Sequence, residues 1–486
     1  MVIDVVDAAP NYDVVVAGNG ALGLSLGLVL ARRGLRVAVV GRADRPYAAS
    51  AAAGAMNGCF GEVTPHLLRS EHGRLKLAMD YQATGRWDAW EQGLLEESDE
   101  TAIRTANGTV VILNTVGVHE IDTEGFRAIR AALDEYKEPY EDLDPAEVPW
   151  LHPAPTARPL HAMFIPGEHA VDAPALLRAL SAAFTRNGGT LVDDLVGEVL
   201  LVGGRAVGVR LTSGTTLSAG HVALATGAAT TKLLDCLPED VRHRIPAIVA
   251  GRGVALMVRT TDGVVPESVI RTPNRAFACG LHVVPRRDGL IYLGATNEVE
   301  SQLGTTAAIG ELNLLLSGTS QMHDDLVNAW VERIMVGNRP VPLDGFPLLG
   351  SVGVEGLWLM TGTYRDGLHQ SPLLAADMAA RILGEPHDSE LDVFTPVRPP
   401  IEAMTREESL EMAVRHTLGS GYEHEWRLPD DWPPMIEKHF RAAFGRTLEQ
   451  VDPEFVPPPE MFIFADESIH AALRTYYEAH RGASGR

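Results

Sequence analysis

A glycine turn between a strand and a helix constrains this chain more than any other feature. Asp13-Val-Val-Val-Ala17 is a β-branched run suited to a buried parallel strand. Gly18-Asn19-Gly20-Ala21-Leu22-Gly23 follows it as Gly-x-Gly-x-x-Gly. Residues 24–33 are helical, Gly34 stops them, and Arg36-Val-Ala-Val-Val40 is a second buried strand. The unit is βαβ, with a right-handed crossover. The first glycine permits the turn, the second lets a pyrophosphate approach the backbone, and the third lets helix and strand pack closely. The free N–H groups and positive dipole end of the helix then attract the anion. A dinucleotide site is therefore expected at Gly18, Gly20, Ala21, Leu22 and Gly23. One position departs from the pattern. The acidic partner of the ribose should end the second strand, and Gly41 and Arg42 stand there. Asp44 is near enough to substitute, and equally fits an ordinary surface aspartate.

At 486 residues the chain exceeds one ordinary core and predicts two or three packing units. Its 41 Lys and Arg against 64 Asp and Glu give a net charge of −23, which argues against nucleic acid and anionic membrane as partners. A local cationic cleft can still take an anionic small substrate. Cys59, Cys236 and Cys279 are odd in number and widely spaced, which fits buried thiols in a reducing cytoplasm and neither a disulfide framework nor a metal site. Residues 14–31 approach the length of a membrane span. Asp4, Asp7 and Asp13 precede them, however, and three glycines at fixed offsets suit a turn, so a cytoplasmic protein is expected.

Beyond the first unit, residues 67–98 read as mainly helical, with a strand pair around 108–113. The Pro-rich run 149–159 is a connector, and 173–187 is a helix ended by Gly188-Gly189. A hairpin-like stretch covers 199–202, 206–211 and 216–222, with a buried strand at 221–225. Strands are expected at 254–259, 278–284, 290–295 and 356–360. Helical periodicity marks 311–336 and 371–383. The charge run 96–100 reads as a solvated face. After residue 386 the composition changes, becoming richer in Pro, Glu, His and Trp.

Five stretches, in order and spacing, make the chain similar to the D-amino-acid-oxidase superfamily of flavoproteins, and within it to glycine oxidase and its sarcosine-oxidase relatives. They are residues 13–42; Ala49-Ser-Ala-Ala-Ala-Gly54; Val171-Asp172 with Val196 and Ala225-Thr-Gly227; His282-Val-Val-Pro-Arg286 with Gly294-Ala-Thr-Asn-Glu298; and Gly337-Asn-Arg-Pro340 with Asp344-Gly345 and Gly362-Thr-Tyr-Arg-Asp-Gly367. The resemblance runs from about residue 12 to 383. It implies an α/β fold in which a Rossmann-like FAD-binding domain (1–86, 165–240 and 336–388) is interleaved with an antiparallel-sheet substrate domain (87–164 and 241–335). A mainly helical C-terminal extension (389–486) follows. It implies FAD held by the glycine turn and by Gly41, Arg42, Ala49, Ser50, Ala53, Gly54, Ala55, Val196, Gly227, Gly362, Thr363, Tyr364, Arg365, Asp366, Gly367 and Leu368. The last cysteine, Cys279, precedes the Arg339 segment, so the FAD is expected to be noncovalent.

Arg339 is biased to extended backbone by Pro340, and Arg365 lies between glycines in a strand-to-helix loop. A guanidinium at either place can clamp a carboxylate. The resemblance assigns Arg339 to the substrate carboxylate and Arg365 to the side of flavin and substrate. His282 stands where glycine oxidase carries a tyrosine near the substrate, and could titrate near neutral pH. The implied reaction is oxidation of the C–N bond of an amino acid or N-substituted glycine. Hydride passes to the flavin, the imine hydrolyses, and O2 is reduced to H2O2. No residue is assigned as a base. A 2-hydroxy-acid dehydrogenase of the same superfamily is an alternative, as is a dinucleotide-binding subunit without turnover, which Gly41 keeps open. The extension carries Trp426, Trp432, Phe440, Phe444, Phe455, Phe462, Phe464, Tyr476 and Tyr477, with amphipathic stretches at 401–417 and 433–445. So many aromatics need burial. Packing on the body of the same chain is preferred; shaping the entrance to the site or making a homo-oligomer contact stays open. The added mass hints at a substrate larger than glycine.

Overall fold

The first strand divides the core by the alternation of its side chains. The structure is a computed structural model, which describes residues 11–275, 279–424, 426–463 and 466–481, the side chains of 119 and 120 excepted. β1 (Tyr12–Ala17), α1 (Ala21–Arg32) and β2 (Val37–Val40) make the βαβ unit, with β1 and β2 parallel. Val14 and Val16 face a helical layer with Leu24, Leu28, Phe184 and Ala375. Val15 and Ala17 face an opposite layer with Leu224, Leu357 and Ile245. Both faces are buried, as an unbroken apolar strand requires. A Cβ on Gly27 would stand 2.6 Å from Val39 and 3.2 Å from Phe184, so glycine there lets α1 lie close on the sheet and on the helix Ala173–Arg186. The apolar stretch 14–31 is thus strand, turn and helix within the body. Among the described residues no helix is long and apolar enough to cross a membrane.

The first sheet runs Leu348–Ser351, Leu357–Thr361, Thr216–Leu224, β1, β2, Thr190–Val192. Its neighbours are parallel except for the antiparallel edge strand Leu348–Ser351. Two strands were expected at 216–225, and one forms. Its early residues pair antiparallel with the hairpin strand Arg205–Leu211, and its later ones pair parallel with β1. One continuous strand serves both partners.

The second sheet has ten strands and is mainly antiparallel. Its long pair is Ile248–Arg259 with Trp330–Pro342. This corrects the helical reading of 311–336. The helix is Ile309–Gly318, short 3-10 turns follow, and the chain is strand from Trp330 onward. Trp330, Val331 and Ile334 stay exposed at 58%, 47% and 46%. The apolar periodicity there marks no buried helix face, and cross-strand pairing decides the local structure. That strand runs unbroken through the expected boundary at 335/336, and Met56–Asn57 pairs into the second sheet with His161–Val171. The strand expected from 278 is His282–Pro285, and Ala278 lies outside the described residues. The acidic run 96–100 does more than meet solvent: Glu97 pairs with Arg32 and Glu100 with Arg178.

The extension is helical, with Arg406–Glu423, Trp432–Val451 and Glu467–Glu478 as its main elements. Leu448, Val451, Met461, Phe462, Leu473, Tyr476 and Tyr477 pack on Val249, Val299 and Val341 of the second sheet and on Leu343 just past it. A buried ion pair fixes its start, with Arg398 donating to Asp344 at 2.8 and 2.9 Å. Burial of the aromatics is incomplete: Trp426 and Trp432 keep 38% and 50% exposure, and Phe464 lies outside the described residues.

Candidate functional site

The expected segments close into a ring around the N-terminus of α1. Ala21 N donates to Ser50 Oγ at 3.0 Å, joining the glycine turn to the loop at 49–54. A Cβ on Gly337 would meet Ala52 at 2.7 Å, joining that loop to the Arg339 strand. Tyr364 N donates to Pro340 O at 3.1 Å, and Leu22 lies against Gly367, which returns the ring to α1. Steric demands enforce the glycines. Gly18 has φ +109°, and a Cβ there would lie 2.2 Å from Ala225 O; a Cβ on Gly23 would lie 1.9 Å from Gly18 O. Gly20 caps α1 with no side chain of its own and Ala21 N is taken by Ser50 Oγ, so the later first-turn N–H groups suit a pyrophosphate. Thr363 Oγ1 would similarly be crowded by a Cβ on Gly367, at 2.3 Å, where the helix Gly367–Leu383 begins; Leu368 is buried in its first turn. Gly227 (φ +58°) and Gly362 (φ +74°) turn the chain at the ends of two parallel strands. Val196, half-buried, opens the strand Val196–Val202.

The structure explains Gly41. A Cβ there would stand 2.4 Å from Asn19 Cγ, inside the glycine turn. Asn19 Nδ2 donates to Arg42 O at 2.9 Å, so its side chain fills the place an acidic residue would need. Arg42 and Asp44 pair with each other in solvent at 2.7 Å. The departure is thus a packing consequence of Asn19, and the turn keeps its shape.

The loop at 49–54 is held from the second sheet through three successive carbonyls. Tyr292 OH donates to Ala52 O at 3.1 Å, and Arg286 to Gly54 O at 2.8 Å and Ala53 O at 3.5 Å. Ala55 takes φ +52°, a conformation that costs a non-glycine residue energy and that packing must enforce. His282 is 2% exposed, stacks on Tyr292 at 5.8 Å, and shares a 2.8 Å hydrogen bond between Nδ1 and Gly280 O. Its Nε2 faces Gly54. Burial, then Arg271, pushes it down to about 4, so it is neutral near pH 7 and does not titrate there as the sequence suggested.

Arg339 reaches over Gly253, where a Cβ would collide with the guanidinium at 2.3 Å. Its NH1 donates to Thr296 O at 3.0 Å and Asn297 Oδ1 at 3.2 Å. Thr296 is itself anchored, donating from Oγ1 to buried Glu311 at 2.7 Å. Asn297 Nδ2 donates to Tyr364 OH at 2.6 Å, so one amide links the two arginine segments. Among the described residues Arg339 has no ion-pair partner.

Arg365 is more committed. Its Nε lies 3.8 Å from Glu62 Oε2, its NH1 3.7 Å from Cys279 Sγ, and its guanidinium over the Tyr364 ring. Glu62 is also bound by Arg271 and by Asn274 Nδ2 at 2.7 Å; burial opposes its charge, but Arg271 and Arg365 hold it well below the usual carboxylate range. Asp366, expected at the cofactor, gives its carboxylate to Lys76, which also reaches Asp80 at 3.1 Å. Sequence reasoning missed Tyr292, Asn297, Glu62, Arg271 and Arg286. Asn297 and Arg286 lay inside quoted stretches without a role assigned; the others carried no local signal. A separate groove of about 430 Å³ beside Trp87–Glu96 is surface-lying, and its Arg104 is spent on Asp88 and Glu91.

Comparison with known proteins agrees with this geometry. The family model described as DAO, FAD dependent oxidoreductase, matches residues 13–381. The chain is 29% identical over 385 residues to the bifunctional protein ThiO/ThiG of Trichormus variabilis, covering 79% of this chain and 54% of that relative. The chain therefore spans about half the length of that relative. It is 28% identical over 376 residues to the glycine oxidase of Pseudomonas aeruginosa, covering 76% of this chain and 95% of that one. The crystal structure of glycine oxidase from Geobacillus kaustophilus has the same fold, with TM-score 0.69 and 24% identity over 80% of this chain and 99% of that one. With the glycine turn, the loop at 49–54 and the two arginine segments in one ring, the chain belongs to the DAO family of FAD-dependent oxidoreductases.

Proposed function

We propose that the chain oxidises the C–N bond of an amino acid or N-substituted glycine, with noncovalent FAD as oxidant and O2 as final acceptor. The observation that carries this reading is Arg339, a guanidinium anchored by Thr296 O and Asn297 Oδ1 with no ion pair among the described residues. Its remaining donors suit a substrate carboxylate. When bound, FAD supplies the two-electron oxidation of amine to imine. The chain's residues bind and orient. Asn297 holds Arg339 and Tyr364 in one register. Neutral His282 stacks behind the loop at 49–54 without adding charge. Glu62 keeps Arg365 in place. The glycine oxidase relatives support an amine as substrate by name. The free thiols Cys59, Cys236 and Cys279 support a reducing, cytoplasmic setting. The test is anaerobic titration of the FAD-loaded protein with amino acids and N-alkylglycines, read at the flavin absorbance. Bleaching by amines is expected; bleaching by 2-hydroxy acids alone overturns the reading.

A further inference from the structure

The extension delivers one charged side chain to the interior beside Arg365. Glu460 opens the short helix Glu460–Ile463, and Met461 and Phe462 anchor that turn among Val249 and Val341 of the second sheet and Leu343 just past it. Glu460 is 5% exposed, and its Oε2 has no hydrogen-bond partner. It lines a cavity of about 160 Å³ together with Tyr364, Arg365 and Glu62 of the body and Met404 and Pro458 of the extension. That is space for about five water molecules at ~30 Å³ each.

The other carboxylates on this cavity are spoken for. Glu62 takes Arg271 and Asn274; Asp80 and Asp366 take Lys76; Asp344 takes Arg398. His66 is pushed down to about 4 by burial and then by Arg69, so it brings no charge at neutral pH. Of these carboxylates Glu460 keeps a free oxygen, in a cavity whose cations are Arg365 and Lys76, the latter taken by Asp80 and Asp366. A buried orphan carboxyl is costly unless something donates to it. A guanidinium and a free carboxyl on one small cavity complement a zwitterion.

We propose that Glu460 is an amine-binding residue for a carboxylate-bearing substrate that reaches the Arg365 side of the site, receiving N–H from its alkylammonium group. The inference rests on the amine-oxidising reading above, and it assigns substrate recognition to a segment beyond the matched family region. Burial pushes the Glu460 carboxyl up to about 7, while its own backbone N–H and then Arg365 pull it down, so an arriving ammonium finds it ready to ionise. Tyr364, which faces it, is pushed up and stays protonated.

The test measures binding without turnover, on FAD-loaded full-length protein at about pH 8, from perturbation of the flavin spectrum. The probes are two pairs that differ by an amine. 2-Aminoisobutyrate and isobutyrate test an α-amine, and the former has no α-hydrogen to lose. 6-Aminohexanoate and hexanoate test a remote amine. The wild type is expected to bind the amine-bearing member of at least one pair about tenfold or more tighter. Glu460→Gln should erase that preference while leaving the amine-free acids within about twofold. Glu460→Asp, which keeps the charge and perturbs packing more, should retain part of it. A wild type without preference, or a preference that survives Glu460→Gln, overturns the proposal. Failure of the amine-oxidising reading registers separately, as no bleaching by any amine in the titration.

Discussion

Replacing Gly41 by aspartate restores the acid that dinucleotide-binding turns ordinarily place there, yet it should weaken FAD binding. The new Cβ would arrive 2.4 Å from Asn19 Cγ and Oδ1. Asn19 must swing away and give up its 2.9 Å bond to Arg42 O. A lost hydrogen bond of this kind is worth about 1 kcal/mol, and crowding adds about 1–3 kcal/mol. Asn19 belongs to the turn that receives the pyrophosphate, so about 1–3 kcal/mol of this should appear in binding. The FAD Kd then rises roughly 5- to 150-fold. Asn19→Ala removes the obstacle. Alone it should cost roughly fivefold, and Gly41→Asp added to it should change Kd by no more than about twofold. The cycle then shows a coupling of at least about 0.5 kcal/mol, as contacting residues do. The assay is quenching of FAD fluorescence on titration of apoprotein, across the four proteins. Additive effects, or tighter binding by Gly41→Asp alone, would refute the packing account.

Other predictions follow from the same geometry. Arg339→Lys keeps the charge and loses the planar fork; at about 1.5–3 kcal/mol for a charge-assisted bond, KM should rise roughly 10- to 150-fold with a smaller change in kcat, read by steady-state kinetics. His282, with a folded pKa of about 4 against an unfolded value near 6.5, favours the neutral form in the fold. Its contribution is complete above about pH 6.5 and is lost as pH falls towards 4, on the order of 3 kcal/mol; His282→Gln should flatten that limb of the unfolding profile, and an unchanged limb would contradict the assignment. Acid precipitation of the holoprotein should leave all flavin in the supernatant; a yellow pellet would mean a covalent bond.

The legible parts of this molecule are those whose demands are local. The glycine turn announces itself because Gly18 and Gly23 face backbone atoms that tolerate no Cβ, and the apolar runs of β1 and β2 need burial on both faces. Arg339 and Arg365 stood out through the spacing of their glycines and prolines, and the structure brings both to Tyr364. Glu62 reads as any surface glutamate until Arg271, 209 residues later, folds against it. Asn297 acquires its meaning from Arg339, 42 residues on. The strand Trp330–Pro342 shows the converse failure. Its periodicity was helical, and only its long partner Ile248–Arg259 explains why it extends. Gly41 was visible as a departure, but its reason lay in one side-chain bond.

These long-range pairings also resolve a tension in the charge. A chain with net charge −23 should repel a carboxylate substrate. Around the site, however, Arg271 and Arg365 lie against Glu62, whose carboxylate Arg271 and Asn274 already engage, and Arg339 adds a third guanidinium with no ion pair among the described residues. The phenol of Tyr292 is pushed up to about 12 by burial, although Arg339 pulls it down, and brings no negative charge at neutral pH. The immediate surroundings are therefore cationic, in a buried place where water screens weakly. The distant acidic surface is screened beyond about 8–10 Å at ordinary salt. The sign of the whole chain is thus no guide to the local sign at the proposed substrate site, which the three arginines set. Besides Glu62, Glu460 tempers this field from the extension. Its position in the extension gives the protein a means of requiring an amine as well as an acid.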